Sequence, residues 1–413
     1  RNTACEEMYS TPQRCDRAFF VARRQKTNPC PQNPLSQLPE IILELVYAFV
    51  GGVRVESVDG ALKFGCMLPR FPLVLRVVLT PQIAKQLVHC TSVQSVIALA
   101  AGDGRLCGTR ELGPALAKNK ALEQLVLENC NLQLRELQSL ASGVRINNCL
   151  QTLSLSGNAL CRQAITHLAS ALEANTSLKH LVLEDCGITQ HAVQQLFPAL
   201  STHPSLARLT LDNNTKLRDN GARPLGVLLT CNAQLTYLRL GFCFLTDVGI
   251  AALASGLATN QTLRKLSLNM NRGVSNEGVQ ALSMALSKTC RLAELDLSNC
   301  GIGDQGIGHL AASLRENQCL LVLNLSGNYR IRNLSASAFG RLLERNTVLR
   351  ELDLSLCRIG EEGAKALALG LAKNKTLGRI SLACNPDILD LGKAALRDTR
   401  RQRGVSLHID LTM

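Results

Sequence analysis

Cysteine and histidine are the residues of this chain best suited to bind a metal ion or to attack a substrate. The 413 residues include 17 cysteines and 7 histidines. No two cysteines lie fewer than 10 positions apart, so the Cys-x-x-Cys spacing of zinc and redox sites does not occur. The histidines are scattered, and no Cys/His cluster has zinc-site spacing. We therefore expect no catalytic residues, no cofactor and no metal.

Five of the cysteines instead close copies of a repeated phrase. Between Leu122 and Asn385 the pattern Leu-x-x-Leu-x-Leu-x-x-Cys/Asn recurs ten times, with Ile380 as one conservative change. Successive copies start 28 or 29 residues apart. A fixed period of about 20–29 residues with this phrase predicts a leucine-rich repeat solenoid. The closing residues alternate strictly: Cys130, Asn158, Cys186, Asn214, Cys243, Asn271, Cys300, Asn328, Cys357 and Asn385.

Each repeat is expected to supply one strand and one helix. In Leu122–Leu127, alternate side chains of an extended segment point to opposite sides. The stretch Gly363–Asn374 has apolar residues at helical spacing. The asparagine that ends such stretches is expected to be left-handed. Stacked units predict an α/β solenoid, a horseshoe with parallel strands on the concave face and helices on the convex face.

The stretch Leu292–Ile302 reads Leu-Ala-Glu-Leu-Asp-Leu-Ser-Asn-Cys-Gly-Ile and is similar, almost letter for letter, to the ribonuclease-inhibitor class of leucine-rich repeat. The resemblance extends over roughly residues 90–395. It implies the solenoid fold and reduced cysteines, but the class serves several functions, among them sensing by innate immune receptors. Ribonuclease inhibition is not expected. That inhibitor is acidic and uses Trp- and Tyr-rich contacts, whereas this chain has net charge +13, no Trp and four Tyr.

Four segments are expected along the chain. They are a polar N-terminal arm at 1–34, a helical or irregular cap at 35–89, the solenoid at 90–392, and a C-terminal cap with a basic helix at 393–413. Pro39 and Glu40 suit the first turn of a helix that Gly51 ends. Its Leu-Pro-Glu-Ile opening is similar to the start of an F-box, the motif that docks ubiquitin-ligase adaptors. Such helices also serve as solenoid caps.

Side chains on the concave face are the candidate binding residues. Adjacent strands lie about 4.8 Å apart, so Arg208, Tyr237 and Lys265 should form one patch. Tyr and Arg are favoured anchors at protein interfaces, and acidic strands follow at Glu294 and Glu351. This mixed face suits a protein better than a nucleic-acid backbone. The candidate partner-binding residues are Arg208, Asp212, Tyr237, Arg239, Phe242, Lys265, Asn269 and Met270.

The sequence therefore predicts a non-enzymatic protein-interaction scaffold, a subunit or adaptor that binds a protein partner on its concave face. The net charge of +13 indicates an acidic surface on that partner. One alternative is an F-box-like substrate adaptor of a ubiquitin ligase, docked through residues 35–50. Another is a basic structural subunit of a ribonucleoprotein, with nucleic acid bound by the basic termini. No apolar run is long enough to cross a membrane, and reduced cysteines indicate a cytoplasmic, reducing location.

Overall fold

A computed structural model provides the three-dimensional structure of the chain. It describes residues 48–50, 53–55, 73–78, 87–88, 93–99, 109–287 and 291–412, all within the unit Glu44–Met413. The predicted arm at 1–34 lies outside these residues, as does most of the F-box-like helix. Ala48–Val50 is a strand (β1) that pairs antiparallel with Val53–Val55 (β2). The prediction of a helix up to Val50 is therefore wrong at its end, where aromatic and β-branched residues favour a strand.

The strands of the repeats form one parallel sheet whose spatial order is the order along the chain. Its thirteen members are β3 Leu73–Val78, β4 Val93–Leu99, β5 Gln124–Val126, β6 Thr152–Ser154, β7 His180–Val182, β8 Arg208–Thr210, β9 Tyr237–Arg239, β10 Lys265–Ser267, β11 Glu294–Asp296, β12 Val322–Asn324, β13 Glu351–Asp353, β14 Arg379–Ser381 and β15 His408–Asp410. Equivalent positions stand opposite one another, as Leu209, Leu238 and Leu266 do. The repeat period of the sequence therefore becomes a row of equivalent residues across the sheet.

A helix follows each strand from β4 to β14, and this β–α–β connection makes successive strands parallel. The helices are α1 Thr109–Lys118, α2 Leu134–Ile146, α3 Arg162–Ala174, α4 Gln190–Thr202, α5 Arg218–Cys231, α6 Asp247–Leu257, α7 Asn276–Leu286, α8 Asp304–Leu314, α9 Asn333–Leu343, α10 Glu361–Lys373 and α11 Asp390–Arg403. Leu238 and Leu253, from a strand and the helix after it, are fully buried in the shared core. Neighbouring helices need about 8–10 Å and neighbouring strands about 4.8 Å, so the helices form the convex side and the free sheet face is concave. The predicted solenoid is confirmed.

The side chains of the closing asparagines join neighbouring repeats and also hydrogen-bond within their own repeat. Asn271 is fully buried. Its Oδ1 accepts the backbone N–H groups of Cys243 and Leu245, both at 3.0 Å. Its Nδ2 donates to the carbonyl oxygens of Leu240 and Leu268, both at 2.8 Å. The thiol of Cys243 donates to a carbonyl of the repeat before it at 3.1 Å. The Cys/Asn alternation thus sets a fully bonded amide beside each small, buried thiol.

The asparagines that end the helices are not left-handed, so that prediction is wrong. Asn175 and Asn374 have φ of −77° and −72° with ψ of 138° and 132°, which is extended backbone. Their side chains explain why asparagine stands here. The Oδ1 of Asn175 accepts the N–H groups of Ser177 and Leu178 at 3.0 and 2.8 Å. Its Nδ2 donates to the Val144 carbonyl of the preceding repeat at 2.7 Å. The residue therefore ties the start of its own strand to the repeat before it.

Among the residues that the structure describes, two other residue types occupy this helix-ending position. His203 accepts the N–H groups of Ser205 and Leu206 through Nδ1, at 3.3 and 3.1 Å. In the last repeat Arg403 donates to the Leu377 carbonyl at 3.1 Å and to two further carbonyls. Arg403 was expected on the basic face of the C-terminal helix. It instead completes the hydrogen bonding of the final repeat.

An acid or amide at the start of one helix caps the next helix. In each case one Oδ1 accepts two backbone N–H groups at the start of the following helix, within 3.2 Å. Side-chain acceptors at this position satisfy N–H groups that the helix itself cannot pair. We call this series the capping relay. Its members are Asp219, Asp247, Asn276, Asp304 and Asn333.

Candidate partner-binding face

Three predicted binding residues lie side by side on the concave face. Arg208, Tyr237 and Lys265 are the first residues of β8, β9 and β10, and each stands opposite the next in the parallel pairing. Strand spacing therefore sets them about 4.8 Å apart. Arg208 and Lys265 are exposed, and Tyr237 is half-buried between them. We call these three residues the concave row.

Arg239 and Asp212 are joined to each other rather than free. Arg239 Nη2 lies 2.5 Å from Asp212 Oδ2, and the Asp212 side chain is only 5% exposed. The Gly241 N–H donates to Asp212 Oδ1 at 2.8 Å. Burial raises the pKa of the Asp212 carboxyl, and Arg239 and the Gly241 amide oppose that rise. Asp212 therefore positions Arg239 from the buried side of the sheet. The prediction of Asp212 as a surface contact is not supported by this geometry.

Lys265 also has an acidic neighbour. Its Nζ lies 2.6 Å from Glu294 Oε1 on the adjacent strand, with both side chains well exposed. Exposed pairs of this kind contribute about 0–1 kcal/mol, so the ammonium stays available to a partner. Asn269 is half-buried, and its Oδ1 accepts the Ser267 hydroxyl at 2.8 Å. Among the basic residues of the predicted patch, Arg239 and Lys265 form ion pairs, whereas Arg208 forms none with a described residue.

Phe242 and Met270 occupy a backbone position that suits other residues better. The residue before each of the ten closing positions is left-handed, with φ between 51° and 72°. Six of the ten are Asn, Asp or Gly, which tolerate this conformation, whereas bulky side chains are strained in it. Phe242 and Met270 nevertheless adopt φ of 51° and 60° and are half-buried. The ten residues are Asn129, Gly157, Asp185, Asn213, Phe242, Met270, Asn299, Gly327, Leu356 and Cys384.

Two residues of this region were missed by sequence reasoning. Phe244 is 54% exposed and left-handed at φ 52°, and its ring centroid lies 5.3 Å from that of Phe242. The sequence signal for Phe244 was its position as a second aromatic residue two positions after Phe242. His180 stands opposite Arg208 at the start of β7. Burial and then the Arg208 charge lower the pKa of His180, and the strand alternation that identified Arg208 would also have identified it.

Within the described ranges, no group of three or more His, Cys, Asp or Glu residues is arranged to hold a metal ion. Nor does any helix of those ranges reach the length and apolarity needed to cross a bilayer. The ten described cysteines are all free thiols.

A family model described as Leucine Rich repeat matches residues 174–190, 231–254, 259–283, 292–311 and 345–368. The ribonuclease inhibitor of Sus scrofa is 30% identical over 175 residues, which cover 41% of this chain and 36% of that protein. The chain carries ribonuclease-inhibitor-type leucine-rich repeats. The ribonuclease inhibitor of Mus musculus is 32% identical over 199 residues, covering 46% of this chain and 43% of that protein.

The same repeats resemble part of a larger protein. NACHT, LRR and PYD domains-containing protein 5 of Bos taurus is 36% identical over 154 residues, covering 37% of this chain and 14% of that protein. The chain thus spans less than half the length of each of these relatives. An internalin from Listeria monocytogenes aligns with 82% of this chain and 86% of its own, at 17% identity and a TM-score of 0.42. Leiomodin-1 actin-binding site 2 aligns with 34% of this chain and 80% of its own, at 22% identity and a TM-score of 0.31.

Proposed function

We propose that this chain is a non-enzymatic interaction scaffold that binds a protein partner through the concave row. The observation that carries the proposal is the row itself, in which Tyr237 stands between two exposed cations on adjacent strands. Tyrosine and arginine are the residues most often found at energetic centres of protein interfaces. The ribonuclease inhibitors and the NACHT protein that share these repeats support a binding role by analogy.

The row rests on a rigid base. The central leucines beneath it, Leu209, Leu238 and Leu266, are at most 2% exposed. Short strands held on both sides by parallel neighbours leave little freedom to the backbone that carries Arg208 and Tyr237. A preorganised anchor loses less conformational entropy on binding than a flexible one. The geometry therefore favours a partner recognised without rearrangement of the sheet.

Charge along the sheet orients that partner. Arg208 and Lys265 lie on β8 and β10, whereas Glu351 and Asp353 lie three strands further on β13. Complementary potentials fix the register of two proteins more than they add affinity. A partner would thus present an acidic group at Arg208 and a basic group toward β13. The acidic partner surface predicted from net charge applies to one end of the face only.

Affinity capture from an extract of the source cells, carried out with and without nuclease, tests the proposal. The test variant is Arg208→Glu/Tyr237→Ala/Lys265→Glu. Its matched control makes the same charge change and removes one exposed apolar side chain on the helices, as Arg315→Glu/Arg341→Glu/Leu369→Ala. Arg239 stays unchanged because a carboxylate there would face the buried Asp212.

A protein that is captured by the wild type and the control but lost with the test variant supports the concave row. The complex reconstituted from the purified partner should weaken at least about tenfold, the loss expected when one interface anchor is removed. Equal capture by all three forms overturns the proposal. Capture that disappears on nuclease treatment instead favours the ribonucleoprotein alternative.

A further inference from the structure

Beside the concave face, the loops that leave the carboxyl ends of the strands carry a second set of exposed side chains. Phe244, Arg272, Tyr329 and Arg358 each directly follow a closing residue and therefore occupy equivalent positions in four repeats. Bridges between Thr246 and Gly273 and between Gly303 and Arg330 hold adjacent loops parallel. We call the exposed side chains of these loops the loop ridge: Phe244, Arg272, Tyr329, Arg330, Arg332 and Arg358.

Among the described residues, the arginines of the loop ridge are unpaired, as Arg208 is and as Arg239 and Lys265 of the concave face are not. None of the four arginines takes part in an ion pair with another described residue, whereas Arg239 and Lys265 both do. Two acids that follow these loops in the sequence are used elsewhere. Asp247 and Asp304 belong to the capping relay and turn their oxygens toward helix N-termini. The four arginines of the ridge therefore present positive charge that no described ion pair neutralises.

Aromatic side chains lie in the same strip. Phe244 and Tyr329 are 54% and 55% exposed, and Phe244 rests against Phe242 at a tilt of 42°. Both phenylalanines are left-handed, with φ of 51° and 52°. A bulky residue in this conformation stores about 1–3 kcal/mol of strain, and such strain concentrates at sites of function. Phe244 is thus a large exposed aromatic at a strained position, which is unfavourable in a loop without a function.

We propose that the loop ridge binds an acidic segment of a protein partner that inserts apolar side chains at Phe244 and Tyr329. Three strand steps separate these aromatics, which is about 14 Å, or about four residues of extended chain. An extended segment with apolar residues four positions apart and carboxylates between them would match both. The proposal rests on the scaffold function above but not on the concave row.

Acids on either side of the ridge favour a peptide over a nucleic acid. Asp296 and Asp353 lie just before the ridge loops at the strand ends, and Glu361 lies just after Arg358 at a helix start. A single strand of nucleic acid carries a phosphate at every nucleotide and needs a continuous basic track. A peptide can place a few carboxylates at the arginines and avoid the flanking acids.

Fluorescence anisotropy with synthetic probes and the full chain tests the proposal. The main probe is a labelled peptide of about twelve residues, rich in Glu and Asp, with two leucines four positions apart. A second peptide replaces both leucines with serine, and the third probe is single-stranded oligothymidylate. The proteins are the wild type, the ridge variants Arg272→Glu/Arg358→Glu and Phe244→Asn, and the concave control Arg208→Glu/Lys265→Glu. Asparagine suits the left-handed backbone at 244, so this variant removes the ring and keeps the fold.

The leucine peptide should bind the wild type and the concave control alike, and at least about tenfold more weakly to Arg272→Glu/Arg358→Glu. Phe244→Asn should weaken the leucine peptide several-fold and leave the serine peptide unaffected. An equal loss in the concave control would reveal unspecific charge attraction and overturn the proposal. Tighter binding of oligothymidylate, lost in the ridge variants, would replace it with a nucleic-acid site. Absence of peptide binding to the wild type would reject the ridge while leaving the concave row untouched.

Discussion

Asp247 accepts the backbone N–H of Gly278 through Oδ1 at 2.8 Å, across the boundary between two repeats. The same oxygen accepts the Ser275 N–H at 2.7 Å. A Cβ on Gly278 would approach Asp247 Oδ1 to 2.5 Å, so a larger residue there would displace the carboxylate from its present position. Because the cap of α7 lies on α6, the start of one helix depends on the repeat before it. The capping relay therefore couples α5 to α10 in sequence.

Replacement of a residue of the capping relay should destabilise the helix that it caps more than the helix on which it lies. For Asp247→Ala we expect a loss of about 1 kcal/mol of unfolding free energy, typical of a lost N-cap. Hydrogen exchange should accelerate at the Ser275 and Gly278 amides, because both lose their acceptor. The neighbouring exposed acid provides the control, and Glu277→Ala should leave those amides protected. Unchanged hydrogen exchange of these amides in Asp247→Ala would show that the capping relay does not stabilise the following helix.

The closing asparagines should be far less tolerant than the closing cysteines. Asn271→Leu keeps the volume but leaves two N–H groups and the Leu240 carbonyl buried without partners, at about 1–3 kcal/mol each. The Leu268 carbonyl retains only the weak thiol donor of Cys300. We expect it to lower the free energy of unfolding by more than about 4 kcal/mol. Cys243→Ala removes one small apolar group and should lower it by about 1–2 kcal/mol. Urea unfolding monitored by circular dichroism measures both, and similar losses would contradict the hydrogen-bond account.

His203 should make stability depend on pH. Burial lowers its pKa from the ordinary value of 6.5, and His180 shifts in the same direction. Just below pH 6.5 the unfolded chain then binds more protons than the folded chain. The contribution of His203 to the free energy of unfolding is therefore present above pH 6.5. It is lost as the pH falls toward the lowered pKa of His203 in the folded protein.

The variant His203→Asn separates this contribution from that of His180. The buried Nε2 of His203 has no hydrogen-bond partner among the described residues. At the equivalent position, Asn232 donates to the Leu200 carbonyl at 2.7 Å. We expect the variant to raise the free energy of unfolding by about 1 kcal/mol at neutral pH and to flatten its decline below pH 6.5. His191→Asn, on an exposed site of α4, should do neither. A pH profile unchanged in His203→Asn would assign the dependence elsewhere.

Much of the fold could be predicted because one spacing repeats. The leucine phrase and its period of 28 or 29 residues specify strand, core and helix in every copy. The conformation of the helix-ending asparagines could not be read in this way. Asparagine is common both in left-handed backbone and where a side-chain amide bridges two backbone segments. Only the stacked repeats show that the Asn175 side chain forms such a bridge. The role of Arg403 could not be read for the same reason, since two of its acceptors lie in the preceding repeat.

The candidate site was predictable in position and less so in chemistry. Strand alternation identified Arg208, Tyr237 and Lys265, and the structure brings them into one row. Alternation cannot show which charges neutralise one another. Asp212 lies two positions past Thr210, the residue opposite Arg239, and the ion pair of Asp212 with Arg239 depends on side-chain reach and burial. The loop ridge escaped notice because its residues belong to no periodic pattern of apolar positions.

The five closing cysteines should be chemically inert in the folded protein. Burial raises the pKa of each thiol to about 12. At pH 8 the reactive thiolate would be on the order of one part in ten thousand. In contrast, Cys161, Cys231 and Cys384 are exposed. Treatment with iodoacetamide at pH 8, followed by peptide mass spectrometry, should modify these three first and leave Cys130, Cys186, Cys243, Cys300 and Cys357 unmodified.

The same reaction in urea provides the control, because unfolding removes both the burial and the pKa shift. All eight cysteines should then react at similar rates. Closing cysteines that react in native buffer as fast as Cys161 would mean that the repeats open on the timescale of labelling. Reaction confined to Cys357 would place such opening in the C-terminal repeats. Protection of all five supports a continuous, closed spine of alternating thiols and amides.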